Sequence, residues 1–188
     1  ILSSCQKCSL ATTRTNVVIG TKNYNAPIMI IGEAPGETED IKGQPFIGRS
    51  GQLLSTLLKE ATLNQEKDTF ITNIIKCRPP KNRNPKKHEI SQCNAYLIRQ
   101  IQLIEPKLLL LLGSPSMKII LGDHYKITEV RGQWFSSSVN YMNTPLKIMP
   151  LFHPSYLLRF SSLKKGSPKW LTQKDFNEVK DQLIKLLP

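Results

Sequence analysis

No aliphatic run in the chain is longer than the five leucines Leu108–Leu112, far short of the roughly twenty residues that span a bilayer. The N-terminus likewise carries no hydrophobic signal region. The expectation is a soluble, cytoplasmic protein with no membrane partner. No Gly-Lys-Ser or Gly-Lys-Thr closes a glycine-rich loop, and the G-x-G-x-x-G spacing is missing. Neither a phosphate-binding P-loop nor a dinucleotide site is therefore expected, and no nucleotide or flavin cofactor. Carboxylates are few: 14 Asp and Glu face 26 Lys and Arg, leaving a net charge of +12 scattered along the chain rather than gathered in one tail. Such a field draws polyanions, nucleic acid first, although a lysine-rich solvated surface has the same composition. No internal repeat or low-complexity linker interrupts the 188 residues, and 39% apolar content is enough to bury a core. Residues 1–188 are read as one domain, and as a monomer.

What the chain does contain is an alternation of two patterns. Short apolar runs at Ile28–Ile31, Thr69–Ile75, Leu108–Leu112 and Leu146–Phe152 read as buried strands. Helical patterns occupy Gly51–Leu63, Lys87–Ile104, Ser114–Leu121 and a last amphipathic segment, Leu171–Leu187. Alternating strand and helix predicts an α/β fold, a three-layer α/β/α sandwich around a central, mainly parallel four-stranded sheet. Lys126–Thr144, with Gly132, Trp134 and three serines, reads as an irregular hairpin before the last strand.

In such a sheet, ligands bind beyond the carboxyl ends of the strands. Three strands run into conspicuous loops: GEAPG after Ile31, NIIKCRPPKNRNP from Asn73, and HPSYLLR from His153. Gly32 and Gly36 allow backbone N–H groups to face a ligand closely. All four cysteines fall in two pairs, Cys5 and Cys8 as C-x2-C, and Cys77 and Cys93 enclosing fifteen residues. Four thiolates so paired suit a tetrahedral zinc or an iron–sulfur cluster; the spacing does not choose between them, and four unrelated reduced thiols are the plain alternative.

Together, GEAPGETEDIKGQPFIGRSGQLL, ITNIIKCRPPKNRNP, HPSYLLR and the cysteine spacing resemble the family 4 uracil-DNA glycosylases, over Cys5 to Arg159. The resemblance implies a uracil-DNA glycosylase-like fold and a repair enzyme acting on uracil-containing DNA. Its reaction would flip uracil out and hydrolyse the N-glycosidic bond, releasing free uracil and leaving an abasic site. It also implies a structural [4Fe–4S] cluster on Cys5, Cys8, Cys77 and Cys93, with zinc the lesser reading.

The chemistry asks for a flipped nucleotide, a clamped base and a stabilised uracil anion. Phe46, in a Gly- and Pro-rich loop, is placed to stack on the base, although core packing is the commoner fate of a Phe. Asn73 offers a donor and an acceptor to the O4 and N3–H edge, a role that leans on the resemblance because a strand-end Asn is more often a turn former. Of three histidines, His153 alone ends a buried strand, and as a neutral imidazole it can donate to uracil O2 as charge develops. Ser155 can hold a phosphate, Leu157 or Leu158 can enter the vacated stack, and Arg159 and Arg49 are expected on the DNA. Arg78, Lys81, Arg83, Lys86 and Lys87 are read as a basic DNA track.

Family 1 glycosylases carry a water-activating Asp and a bulky Tyr in a Gly-Gln-Asp-Pro-Tyr turn, whereas this turn reads Gly32-Glu33-Ala34-Pro35-Gly36. Alanine is no base, so the attacking water falls to main chain or to Glu33. Gly36 cannot exclude the thymine methyl, which makes Glu39 the candidate for that side of the pocket. Asp40 is read as a loop-stabilising or helix-start carboxylate. Ala34 and Pro35 complete the turn that receives the uracil edge. A covalent branch of the superfamily uses a His in an inserted basic loop, and the segment after Asn73 has none. A metal-stabilised DNA-binding module without turnover is the competing reading.

Overall fold

The computed structural model describes residues 2–137, 146–160 and 162–186. Four apolar runs form parallel strands: β1 (Ile28–Gly32), β2 (Thr69–Asn73), β3 (Leu108–Leu112) and β5 (Leu146–Leu151). A fifth, β4 (Phe135–Ser137), pairs antiparallel with β5, giving the order β2-β1-β3-β5-β4. The expected four-stranded parallel sheet is thus extended by one short edge strand. That strand lies in the segment read as a hairpin, of which 138–145 fall outside the described residues.

β1, β2 and β3 are buried at every position, as strands covered on both faces must be. Successive side chains point to opposite faces, and the core divides accordingly. Ile28, Ile30, Leu108, Leu110 and Met149 pack with Leu54 and Leu58 of α2 (Arg49–Glu60), Leu157 of α7 (Pro154–Leu157) and Phe176 and Val179 of α8 (Pro168–Leu186). Met29, Ile31, Leu109 and Ile148 pack with Leu97 and Ile101 of α4 (Lys87–Ile104), with Leu121 of α5 (Ser114–Leu121) and with Leu10 against them. Each such side chain stabilises the fold by ~1.5–3 kcal/mol relative to exposure. The short helices α1 (Glu37–Lys42), α3 (Gln65–Asp68) and α6 (Ile127–Val130) sit in the connections. No described helix is long and apolar enough to cross a membrane.

Residues 18–21 cover the outer edge of β2. Thr21 N–H donates to Ile71 O at 3.0 Å, Ile71 N–H to Thr21 Oγ1 at 2.9 Å, Thr72 Oγ1 to Ile19 O at 2.7 Å, and Val18 N–H to Lys76 O at 2.7 Å. The strand order reverses between β1 and β3, and the loops after β1, β2 and β5 gather at that end of the sheet.

Candidate active site and cysteine cavity

β2 stops at Asn73 because the chain then bends across the end of β1: Ile74 N–H donates to Gly32 O at 2.9 Å, and Ile75 N–H to Glu33 O at 3.3 Å. This brings Asn73 against Gly32, where no side chain would fit. A carbon on the Gly32 Cα would stand 2.5 Å from Asn73 Oδ1 and 2.5 Å from the Phe46 ring. Asn73 is 1% exposed, and its Oδ1 has no hydrogen-bond donor among the described residues. A buried acceptor left so costs stability unless something supplies the donor.

Phe46 sits at φ 53°, a left-handed conformation unfavourable for a bulky residue. Two features hold it there. The Glu39 carboxylate accepts Ile47 N–H at 3.0 Å and Gly48 N–H at 2.7 Å, and the Phe46 carbonyl lies against Gly51 in the first turn of α2, where a side-chain carbon would stand 1.8 Å from its oxygen. The neighbouring carboxylate, Asp40, points the other way. Buried, it accepts Thr15 N–H at 2.9 and 3.0 Å and Asn16 N–H at 3.1 Å, while Asn16 Nδ2 donates to Asp40 O at 2.7 Å. One side of α1 therefore anchors the Phe46 loop and the other anchors the segment after Cys8.

His153 follows β5, its ring centroid 6.0 Å from that of Phe46. Ser155 N–H donates to His153 Nδ1 at 3.1 Å, with Ser155 Oγ 2.7 Å from the same atom. Nδ1 is thus an acceptor, which leaves the proton of a neutral ring on Nε2. Burial pushes the imidazole down to about 4, so the neutral form is the one present at physiological pH. Burial also raises the Glu33 carboxyl above its ordinary value. A cavity of about 460 Å³ is walled by Glu33, Ala34, Pro35, Glu39, Phe46, Arg49, His153 and Ser155, and on its far side by Pro79, Asn82, Arg83 and Asn84. Glu33, His153 and Ser155 also line a second cavity of about 250 Å³, behind the first, with Gly113, Ser114, Phe152 and Tyr156.

On the other side of Asn73, all four cysteines line one small cavity together with Leu2, Arg14, Val17, Lys76 and Tyr96. Arg14 Nη1 donates to Cys77 Sγ at 3.4 Å, and Tyr96 O–H to Cys5 Sγ at 3.5 Å. Among the described residues no three His, Cys, Asp or Glu side chains are grouped to hold a metal ion. The donor set of this cavity is four thiols with cationic side chains beside them, which suits an anionic thiolate-ligated group.

The family model for the uracil DNA glycosylase superfamily matches residues 19–180. The type-4 uracil-DNA glycosylase of Sulfurisphaera tokodaii is 40% identical over 185 residues, 96% of this chain and 81% of that protein. The chain belongs to the type-4 uracil-DNA glycosylases. The type-4 enzyme of Thermotoga maritima is 42% identical over 159 residues, 84% of this chain and 80% of that protein. That of Saccharolobus solfataricus is 40% identical over 183 residues, 95% and 82% respectively. The family resemblance in the motifs is thereby upheld.

Against that family frame, the residues singled out in the sequence separate into groups. The turn Glu33-Ala34-Pro35, with Glu39, Phe46, His153, Arg49 and Ser155, meets in one cavity; Asn73 is outside its lining, against Gly32 beside the Phe46 ring. Leu158 and Arg159 are exposed beside it. Leu157 is not available to DNA: it is wholly buried in the core under α7, so of the leucine pair only Leu158, 39% exposed, reaches the surface. The basic track is also thinner than expected. Arg83 forms two hydrogen bonds, 2.6 and 2.9 Å, with Glu89, a fully buried carboxylate that needs a cation, and Arg78 pairs with Glu37 at 3.0 Å. Lys81, Lys86 and Lys87 remain exposed. Sequence reasoning missed Gly51 and Lys76 altogether. Gly51 carried a signal, since a glycine in the first turn of a helix is a costly choice without a packing reason.

Proposed function

We propose that this chain removes uracil from DNA by hydrolysing the bond between uracil N1 and the sugar C1′, leaving an abasic site for repair. The observation that carries the reading is the Asn73 amide: buried, pressed on Gly32 and Phe46, with an Oδ1 that has no donor of its own. Uracil N3–H supplies that donor, and the Asn73 Nδ2–H group meets uracil O4. Phe46 stacks on the base. Gly36 leaves room that Glu39 fills, its Oε2 lying 2.8 Å from where a side-chain carbon on Gly36 would stand, so the thymine methyl meets a carboxylate.

As the C1′–N1 bond breaks, the electron pair goes to uracil, and negative charge grows on O2. His153 Nε2–H donates to that oxygen as a donor already in place before the charge develops. The attacking water is held by Glu33 and the main chain of the Glu33-Ala34 turn. It gives its oxygen to C1′ and its proton to Glu33, whose burial makes it a better base than an exposed carboxylate. Arg49, Ser155, Leu158 and Arg159 face the DNA backbone and the gap in the stack.

Cys5, Cys8, Cys77 and Cys93 would hold a [4Fe–4S] cluster, supported by their common cavity and all-sulfur donor set. The cluster would join the N-terminal segment to the loop after β2. It would supply rigidity rather than a step in the reaction.

The test is incubation of the purified protein with a uracil-containing oligonucleotide, followed by alkaline cleavage and detection of free uracil. Strand breaks at the uracil position over multiple turnovers support the reading. Tight binding with no uracil released would make the chain a binding module instead.

A further inference from the structure

Lys76 is the one lysine among the wholly buried side chains of the described residues, 0% exposed, and no described carboxylate pairs with it. The end of a lysine is expensive to bury and persists there only where specific acceptors meet its N–H groups. Its acceptors are Asn73 O at 2.6 Å and Thr72 Oγ1 at 2.7 Å. Lys76 also lines the small cavity that holds Cys93 and the other three cysteines. The side chain thus links Asn73 to the wall of the cysteine cavity.

We propose that Lys76 is a positioning residue: its side-chain amine, at the wall of the cysteine cavity, clamps the Asn73 main-chain carbonyl and thereby sets the pose of the Asn73 amide that reads the base. Asn73 is the last residue of β2: the next two N–H groups bond to Gly32 O and Glu33 O, and the Asn73 carbonyl accepts from Lys76 Nζ. The Asn73 amide itself has an orphaned oxygen and so does not fix itself through that atom. The Nζ–O bond, at 2.6 Å, is short for an N–H donor to a carbonyl. Thr72 extends the brace outward, because its hydroxyl donates to Ile19 O at 2.7 Å while accepting from Lys76.

The inference rests on the proposed uracil-reading role of Asn73, and its test separates the two. Lys76→Met keeps the length of the side chain and removes the donors. Its single-turnover rate of uracil release should fall by roughly 10- to 100-fold, the size of effect a small misplacement of a reacting partner produces. Its affinity for an oligonucleotide carrying the non-hydrolysable 2′-fluoro-2′-deoxyuridine should fall toward that for a thymine control, with affinity for the control unchanged. The deciding measurement is the same substitution in an Asn73→Ala background, where Lys76→Met should cost nothing further, as for two residues acting as one unit. Thr72→Val, which takes away one acceptor, should give a smaller loss of the same kind and decides the matter if Lys76→Met does not fold. An undiminished rate in Lys76→Met, or in Thr72→Val where Lys76→Met does not fold, overturns the assignment. So does a full-sized loss that persists without the Asn73 amide. Failure of the unmodified protein to release uracil would instead strike at the glycosylase reading.

Discussion

The carbonyl of Phe46 rests on the bare Cα of Gly51: a side-chain carbon there would stand 1.8 Å from the oxygen. Neither residue can be changed without the other, since the left-handed backbone of Phe46 is what turns its carbonyl toward α2. Gly51→Ala should therefore push the Phe46 loop off its seat. The expected cost is about 1–3 kcal/mol of stability, typical of overpacking. A roughly tenfold or greater loss of affinity for uracil over thymine in DNA should accompany it, the scale of one stacked base. Thermal melting and fluorescence anisotropy measure the two. An alanine variant that stacks uracil as before would show that Phe46 is not held from Gly51.

His153→Ala should lower the rate of uracil release by about two to three orders of magnitude while leaving DNA affinity nearly unchanged, because the proposed hydrogen bond to uracil O2 would strengthen only as charge reaches the base. Equal losses in rate and binding would indicate a phosphate contact instead.

The same residue predicts an acid dependence. Unfolded, His153 titrates near 6.5; folded, its burial holds it down to about 4. Between these values the unfolded chain binds a proton that the folded chain does not. The stabilisation from keeping the ring neutral is complete above pH 6.5, declines as pH falls, and is gone below about pH 4. An NMR titration of the imidazole should find its midpoint near 4. Denaturation of His153→Ala should be less sensitive to pH over that window than that of the unmodified protein.

In the proposed pocket, Asn73→Asp would replace the amide donor to uracil O4 by an acceptor and set a carboxylate beside a departing anion. Uracil excision should fall by at least tenfold. The oxygens it presents suit the cytosine amino group, so a trace of cytosine release is the accompanying expectation, read by the same oligonucleotide assay. Uracil excision that survives this change would remove Asn73 from the pocket.

The protein purified from an aerobic culture should be brown and carry iron and sulfide in near-equal amounts; stoichiometric zinc without sulfide would refute the cluster. Cys77→Ala or Cys93→Ala should lower the melting temperature together with activity, since metal affinity of this kind is folding free energy.

Most of the sheet was legible because strands buried on both faces must be continuous apolar runs, and Ile28–Ile31 and Leu108–Leu112 have no polar face to disguise them. β4 was not: Phe-Ser-Ser is too short for a period, and its pairing with β5 comes from the sheet rather than from its own side chains. Asn73 and His153 were visible as polar residues ending apolar strands. Lys76 was not, since one lysine beside a cysteine in a basic chain looks solvated, and its burial depends on the turn of the chain after β2. The same blindness applied to Arg83 and to Leu157. A charge in a loop reads as DNA-facing until Glu89 is found beneath it, and a Leu-Leu pair gives no sign of which leucine faces in.

The strip of residues 18–21 along β2 has a consequence for the solution behaviour of shortened forms. A fragment starting at Pro27 would keep every strand of the sheet, yet the outer row of N–H and C=O groups on β2 would lie open, a template for pairing with another chain. Proteolytic loss of the N-terminal segment should accordingly convert a dispersed protein into one that associates edge to edge. Light scattering before and after limited proteolysis would register the change.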